Sequence, residues 1–180
     1  MIDSVFSPAV RWLNASASPN TALTVTDNDG NTAMLAEWHR GAARGATDAV
    51  LLTVGTGIGS GVVANGALVR GALGAGPEIG HMTIDADGPT CSGSCPGQGC
   101  FEAHVSGSAL VRAATELTKA HPSSALGRSV AADRGITAAL VTELAHDGDP
   151  VALQALRGVG RWLGVGVANV VNIFNPSVVV

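Results

Sequence analysis

The first twenty residues show scattered apolar positions among Ser, Pro and Asn, with Trp12 and Leu13 as an anchor. Leu23-Thr24-Val25-Thr26 is a short β-branched run ahead of the polar Asp27-Asn28-Asp29-Gly30, which predicts a strand followed by a loop. From Asn31 to Arg44 the pattern turns helical. Ala33, Met34, Glu37 and Trp38 fall on adjoining turns, and Gly45 supplies a stop. Ala49 to Val54 is a near-continuous apolar run, as expected of a strand buried on both faces. It leads through Gly55-Thr56-Gly57-Ile58-Gly59-Ser60-Gly61 into Val62-Val63-Ala64, Asn65-Gly66 and Ala67-Leu68-Val69. Asn-Gly between two apolar runs predicts a hairpin.

Residues 71–100 are rich in Gly and carry no helical period, so they predict a long loop. Helical periodicity resumes over Glu102–Ala120, Ile136–His146 and Asp149–Asn172. Asp149-Pro150 is a helix start, with Asp as cap and Pro in the first turn. Asn175-Pro176 closes that helix, and Ser177-Val178-Val179-Val180 predicts a further strand. An apolar strand needs a neighbour and a continuation, so the chain is expected to be a piece of a longer one. Strands interleaved with helices predict an α/β layer fold.

Composition narrows the class. Of 180 residues, 46% are hydrophobic and 13% charged, which excludes a disordered chain. The 24 Gly follow no three-residue period, so the chain is not collagen-like. A net charge of -4 with 10 Lys+Arg argues against a nucleic-acid surface on this segment. The start, Met1-Ile2-Asp3-Ser4, is not that of a secretory signal. Trp162–Val180 is long enough to span a bilayer, but three Asn and Pro176 oppose that reading, and a soluble cytoplasmic protein is expected.

Cysteine spacing is the most specific chemical signal. Cys91, Cys95 and Cys100 fall within ten residues, and His81 lies ten residues ahead of them. Three thiolates and an imidazole form a closed, tetrahedral set of the structural zinc type. The alternative is one disulfide with a spare thiol, which an odd count in a chain without a secretory signal disfavours.

Two further features carry less specific chemistry. The Gly55–Gly61 run follows a buried strand, where backbone amides and the Thr56 hydroxyl suit phosphate oxygens. It lacks the Lys of a Walker loop, and a hairpin rather than a helix follows it, unlike a dinucleotide fingerprint. Asn28 and Asp29 offer an amide and a carboxylate for a polar ligand, or else a helix cap for residues 31–44. Glu78 and Glu102 flank the Cys/His cluster. Gathered by zinc, they and Asn28 and Asp29 would suit sugar hydroxyls; singly, each Glu reads as a solvated loop residue.

Taken in order, Asn28-Asp29, Gly55-Thr56-Gly57-Ile58-Gly59, Glu78-Ile79-Gly80-His81 and Cys95-Pro96-Gly97-Gln98-Gly99-Cys100-Phe101-Glu102 resemble the ROK family of bacterial sugar kinases and sugar-responsive repressors. The resemblance runs from about Val5 to Val180. It implies an α/β, actin-like ATPase (ribonuclease-H-like) fold, here partial, with a zinc-bound loop at about 71–102. Residues 1–30 would end an N-terminal lobe and 31–180 would belong to the C-terminal lobe. It implies Asp29 as catalytic base, sugar contacts from Asn28, Glu78, His81 and Glu102, and nucleotide phosphates at Gly55, Thr56, Gly57 and Gly59. His81, Cys91, Cys95 and Cys100 would hold the zinc. Two departures stand out: three residues lie between Cys91 and Cys95 where the family has one, and the family's Asp-x-Gly-x-Thr phosphate loop and Gly-rich adenosine segment are not in this sequence. The implied reaction is phosphorylation of a hexose, glucose foremost, by Mg-ATP, in a homo-oligomer. The alternative is the sugar-sensing part of a repressor.

Overall fold

The computed structural model describes residues 27–74, 76–132 and 135–180. The expected Leu23–Thr26 strand, and nearly all of the unit assigned to residues 1–30, lie outside them. Among the described residues a four-stranded sheet is flanked by helices on both faces. Helix α1 (Asp29–Arg40) precedes strands β1 (Ala49–Val54), β2 (Ile58–Ala64) and β3 (Ala67–Leu68). A single 3-10 turn, Ile79–His81, punctuates the long loop. Helices α2 (Phe101–Val105), α3 (Gly107–Ala120), α4 (Ala125–Ala131), α5 (Ala138–His146) and α6 (Pro150–Phe174) follow, then β4 (Val178–Val179).

The sheet runs in the order β3-β2-β1-β4. β1 and β2 pair antiparallel, Leu51 opposite Gly61, and β1 and β4 pair parallel. Asn65 and Gly66 both adopt positive φ (49° and 70°), which gives a two-residue turn the twist that a hairpin needs. β1 reads as a continuous apolar run because its alternate residues enter two different cores. Val50 and Leu52 face a cluster with Ile58, Val62, Phe101 and Val170, beneath α2 and α6. Ala49 and Leu51 face Met34, Val63 and Val178, beneath α1. A third core, around Leu110, Leu126, Val141 and Val151, packs helices α3 to α6 together.

The helices differ from expectation in three places. Helix α1 ends at Arg40 rather than Arg44, because the backbone leaves helical geometry at Gly41 (φ -113°, ψ -147°), four residues before Gly45. The predicted Glu102–Ala120 helix is broken at Ser106, whose extended backbone (ψ 166°) ends α2 while its Oγ accepts the Ala109 N–H to start α3. Helix α4 has no counterpart in the sequence reading. It is capped by Ser124 Oγ on Gly127 N, and Asp149 Oδ2 accepts its first amide, Ala125 N, at 2.8 Å. Asp149 also caps α6 through Oδ1, so one buried carboxylate serves two helix starts. No helix among the described residues is long and apolar enough to cross a membrane.

Candidate functional site

The residues singled out in the sequence converge on one end of the sheet. Asn28, Asp29, Gly55 to Gly59, Glu78 and Glu102 line a single cleft of about 470 Å³. Among the described residues three carboxylates line it, without a Lys or Arg. Such a wall accepts hydroxyl donors well, whereas an anionic ligand must rely on backbone N–H groups or bring its own cation.

Each arm is fixed by its local chemistry. Asn28 caps α1: its Oδ1 accepts the N–H groups of Gly30 at 2.9 Å and Asn31 at 3.3 Å. With the oxygen committed, the amide NH₂ remains to donate. Both readings of this residue, cap and cleft lining, are therefore compatible in one side chain. Asp29 is exposed in the first helical turn, and its Oδ1 accepts from Gly30 N at 2.8 Å. Asp27, one residue before the cap, pairs with Arg70 at 2.8 Å. Burial opposes ionisation of Asp27, but the Arg70 guanidinium, the Asn31 amide and the Asn28 N–H outweigh it and hold the carboxyl below its usual range. Sequence reading missed this pair, because 43 residues separate its members.

The glycine loop is tied to α2 and α3. Gly55 N donates to Gly57 O, and Gly107 N at the start of α3 donates to Gly55 O. Glu102 Oε2 accepts the Ile58 N–H at 2.7 Å. A Cβ at position 57 would overlap that carboxylate, so glycine is needed there for close approach rather than for turn geometry.

His81, Cys91, Cys95 and Cys100 bring one ligand atom each within 4.8 Å of one another. His81 Nδ1 lies 3.5 Å from Cys91 Sγ, and the three cysteines are free thiols. A zinc tetrahedron built on bonds of about 2.0–2.3 Å has edges of about 3.3–3.8 Å, so a small contraction of these donors would close round an ion. Burial and the neighbouring thiols push the Cys91 thiol up to about 12, and burial raises Cys100 as well. The four donors could hold a metal ion, whose positive charge would favour the thiolates that ligation requires. The three-residue gap between Cys91 and Cys95 does not keep them apart. His81 belongs to this cluster and does not line the cleft. Glu102 links the two sites, with Oε1 3.9 Å from Cys91 Sγ.

Comparison with known proteins places this geometry. The chain matches the ROK family over residues 15–180. It is 34% identical to a glucokinase of Streptomyces coelicolor over 96% of its own length and 56% of that protein's. It is also 34% identical to the xylose repressor of Bacillus subtilis, over 98% of the chain and 43% of the repressor. A crystal structure of a ROK family glucokinase from Streptomyces griseus, in complex with glucose and AMPPNP, superposes with a TM-score of 0.77. That match has 39% identity and covers 86% of this chain and 50% of that one. The chain thus spans about half the length of the relatives that it matches, and its fold is part of the expected actin-like ATPase architecture. On sequence and structure together, the chain belongs to the ROK family.

Proposed function

We propose that this chain forms the sugar and phosphate walls of an ATP-dependent hexose kinase, with glucose as the foremost substrate. The observation that carries the reading is the convergence of Asp29, Glu78 and Glu102 on the cleft that the Gly55–Gly59 loop also lines. The likeness to glucokinases, one of them with glucose and an ATP analogue bound, supports the choice of substrates.

In this reading Asn28 donates from its free amide to a sugar oxygen, while Glu78 and Glu102 accept from sugar hydroxyls. Asp29 takes the proton of the attacking hydroxyl as its bond to phosphorus forms. The Gly55–Gly59 amides and the Thr56 hydroxyl meet the phosphates, and the magnesium that accompanies ATP neutralises charge there. A second cleft of about 780 Å³ adjoins Gly55 and Thr56, lined by Leu110, Val111, Leu156 and Val159; it suits the less polar nucleoside end. His81, Cys91, Cys95 and Cys100 would hold a structural zinc that shapes the loop behind Glu102. The sugar contact proposed for His81 rests on the family resemblance.

Phosphoryl transfer needs both walls of the phosphate site, and this chain covers about half of its kinase relatives. A coupled assay with saturating glucose and ATP is therefore expected to show turnover by the intact protein and none by residues 1–180 alone. An intact protein that binds hexose without turnover would favour the second reading, a sugar sensor, which the repressor relative supports. A sensor has no need of Asp29 or of an intact glycine run, and both are present.

Gly57→Ala tests the glycine loop. The added methyl must displace the Glu102 carboxylate from Ile58 N–H. Misplacing a binding group by about 1 Å can cost about 10²-fold, and a fall of that order in kcat/KM for glucose is expected. An unchanged value would detach Glu102 from the site.

A further inference from the structure

Ser60 is a polar side chain at the centre of the site with no role in the reading above. It sits on β2, directly after the glycine loop, and is only 5% exposed. Its hydroxyl is used twice: Oγ donates to Pro77 O at 2.7 Å and accepts the Ile79 N–H at 3.1 Å. Those two groups flank Glu78 on either side. Glu78 itself has an irregular backbone (φ -103°, ψ 60°) outside any helix or strand, and its side chain makes no capping bond. The Ser60 hydroxyl thus straps the one short segment that presents this carboxylate to the cleft.

The backbone of Ser60 is engaged from the other direction. Gly30, which follows Asp29, packs so closely on Ser60 that a Cβ at position 30 would overlap the Ser60 carbonyl. One residue therefore abuts the start of α1, which carries Asn28 and Asp29, and grips the turn that carries Glu78. It spans the two sugar-binding arms and stands at the end of the phosphate loop.

We propose that Ser60 is a positioning residue for sugar recognition, setting the place of Glu78 relative to Asp29. This rests on the assignment of Glu78 to sugar binding. Ser60 lines the cleft, but its Oγ is committed to Pro77 O and Ile79 N–H, so it acts through the backbone on both sides of Glu78. An alanine there leaves the half-buried Pro77 carbonyl and the buried Ile79 N–H without this partner, a loss that moves the segment toward other hydrogen-bond partners.

The test is a double-mutant cycle on the intact protein, read as the glucose dissociation constant by calorimetry, which serves a kinase and a sensor alike. Ser60→Ala is expected to weaken glucose binding about tenfold. In a Glu78→Gln background the same change is expected to have little further effect, since the residue acts through a carboxylate already lost. In the coupled assay KM for glucose should rise while KM for ATP holds. Should the alanine variant fold poorly, the isosteric pair Ser60→Thr and Ser60→Val poses the same question, with binding kept by Thr and weakened in Val. Wild-type affinity in Ser60→Ala, or an effect of equal size with and without Glu78, overturns the inference while leaving the functional assignment intact. A wild-type protein that neither binds nor phosphorylates a hexose overturns both.

Discussion

Asp29→Asn in the intact protein is expected to lower turnover by about 10²–10⁴-fold, with glucose affinity held within a few-fold. A sugar hydroxyl is a poor nucleophile until its proton has somewhere to go, and Asp29 is the exposed carboxylate at the helix start that faces the cleft. One of its oxygens accepts from Gly30 N; the other carries no hydrogen bond among the described residues. Asn can keep the first contact and fill the same volume, but it cannot take a proton. The competing explanation is loss of stability, since an acidic group in the first helical turn also interacts with the helix dipole. That effect is worth about 0.3–1 kcal/mol, whereas the expected rate loss corresponds to about 3–5 kcal/mol of barrier. The two are separable: the thermal midpoint should move by a few degrees at most while kcat collapses. Wild-type turnover would leave Asp29 only as a first-turn carboxylate beside the Asn28 cap.

What the sequence made legible follows from which interactions are local. β1 was readable because both its faces are buried over Ala49–Leu51, so its apolar run is interrupted only at Thr53, where the strand becomes exposed. The hairpin was readable because Asn65 and Gly66 tolerate the positive φ that the turn imposes. Helix α4 was not: its seven residues include Gly127 and Ser129, and what secures it is distant, the core of Leu110, Val141 and Val151 that buries Leu126 and the Asp149 carboxylate 24 residues from Ala125. The break at Ser106 escaped notice because apolar positions keep helical spacing across it, although Ser106 is itself a good cap residue. At the site, the cysteine cluster announced itself by spacing alone. Asn28, Asp29, Glu78 and Glu102 were each ambiguous; a zinc-gathered loop offered one way to join them in advance of the fold, and the family resemblance gave each its role. Ser60 and the Asp27–Arg70 pair were invisible for a plainer reason: a hydroxyl on a strand, or a charge in a loop, says nothing about a partner 17 or 43 residues away.

Cys100→Ala is expected to abolish metal binding and, with it, most of the sugar affinity, before any question of chemistry arises. Cys100 is buried, directly precedes α2, and is followed by Phe101 and Glu102. Besides the cluster, the 82–100 loop is held near α2 by the packing of Met82 and Ile84 against the core of Phe101 and Val105 and by a few backbone bonds: Phe101 N to Met82 O, Ile84 N to Gly99 O and Gly99 N to Pro89 O. Each contributes about 1 kcal/mol net, whereas a structural zinc site contributes about 10–16 kcal/mol in small domains at neutral pH. A bound zinc would therefore dominate the ordering of the loop beyond the packed Met82 and Ile84. Losing one thiolate leaves two thiols and an imidazole, an open and weaker set. The loop should then gain hydrogen exchange over residues 82–100, and Glu102 should lose its fixed place on Ile58 N–H. Glucose binding is expected to fall about 10²-fold, the scale of a misplaced binding group, while Phe101 keeps α2 seated in the core. Chelation of the wild-type protein should reproduce the loss, and added zinc should reverse it, which the cysteine variant cannot do. Elemental analysis of the intact protein should find one zinc per chain. Protein without zinc, or with a disulfide between two of the three cysteines, that still bound glucose normally would remove the metal from the account of this site.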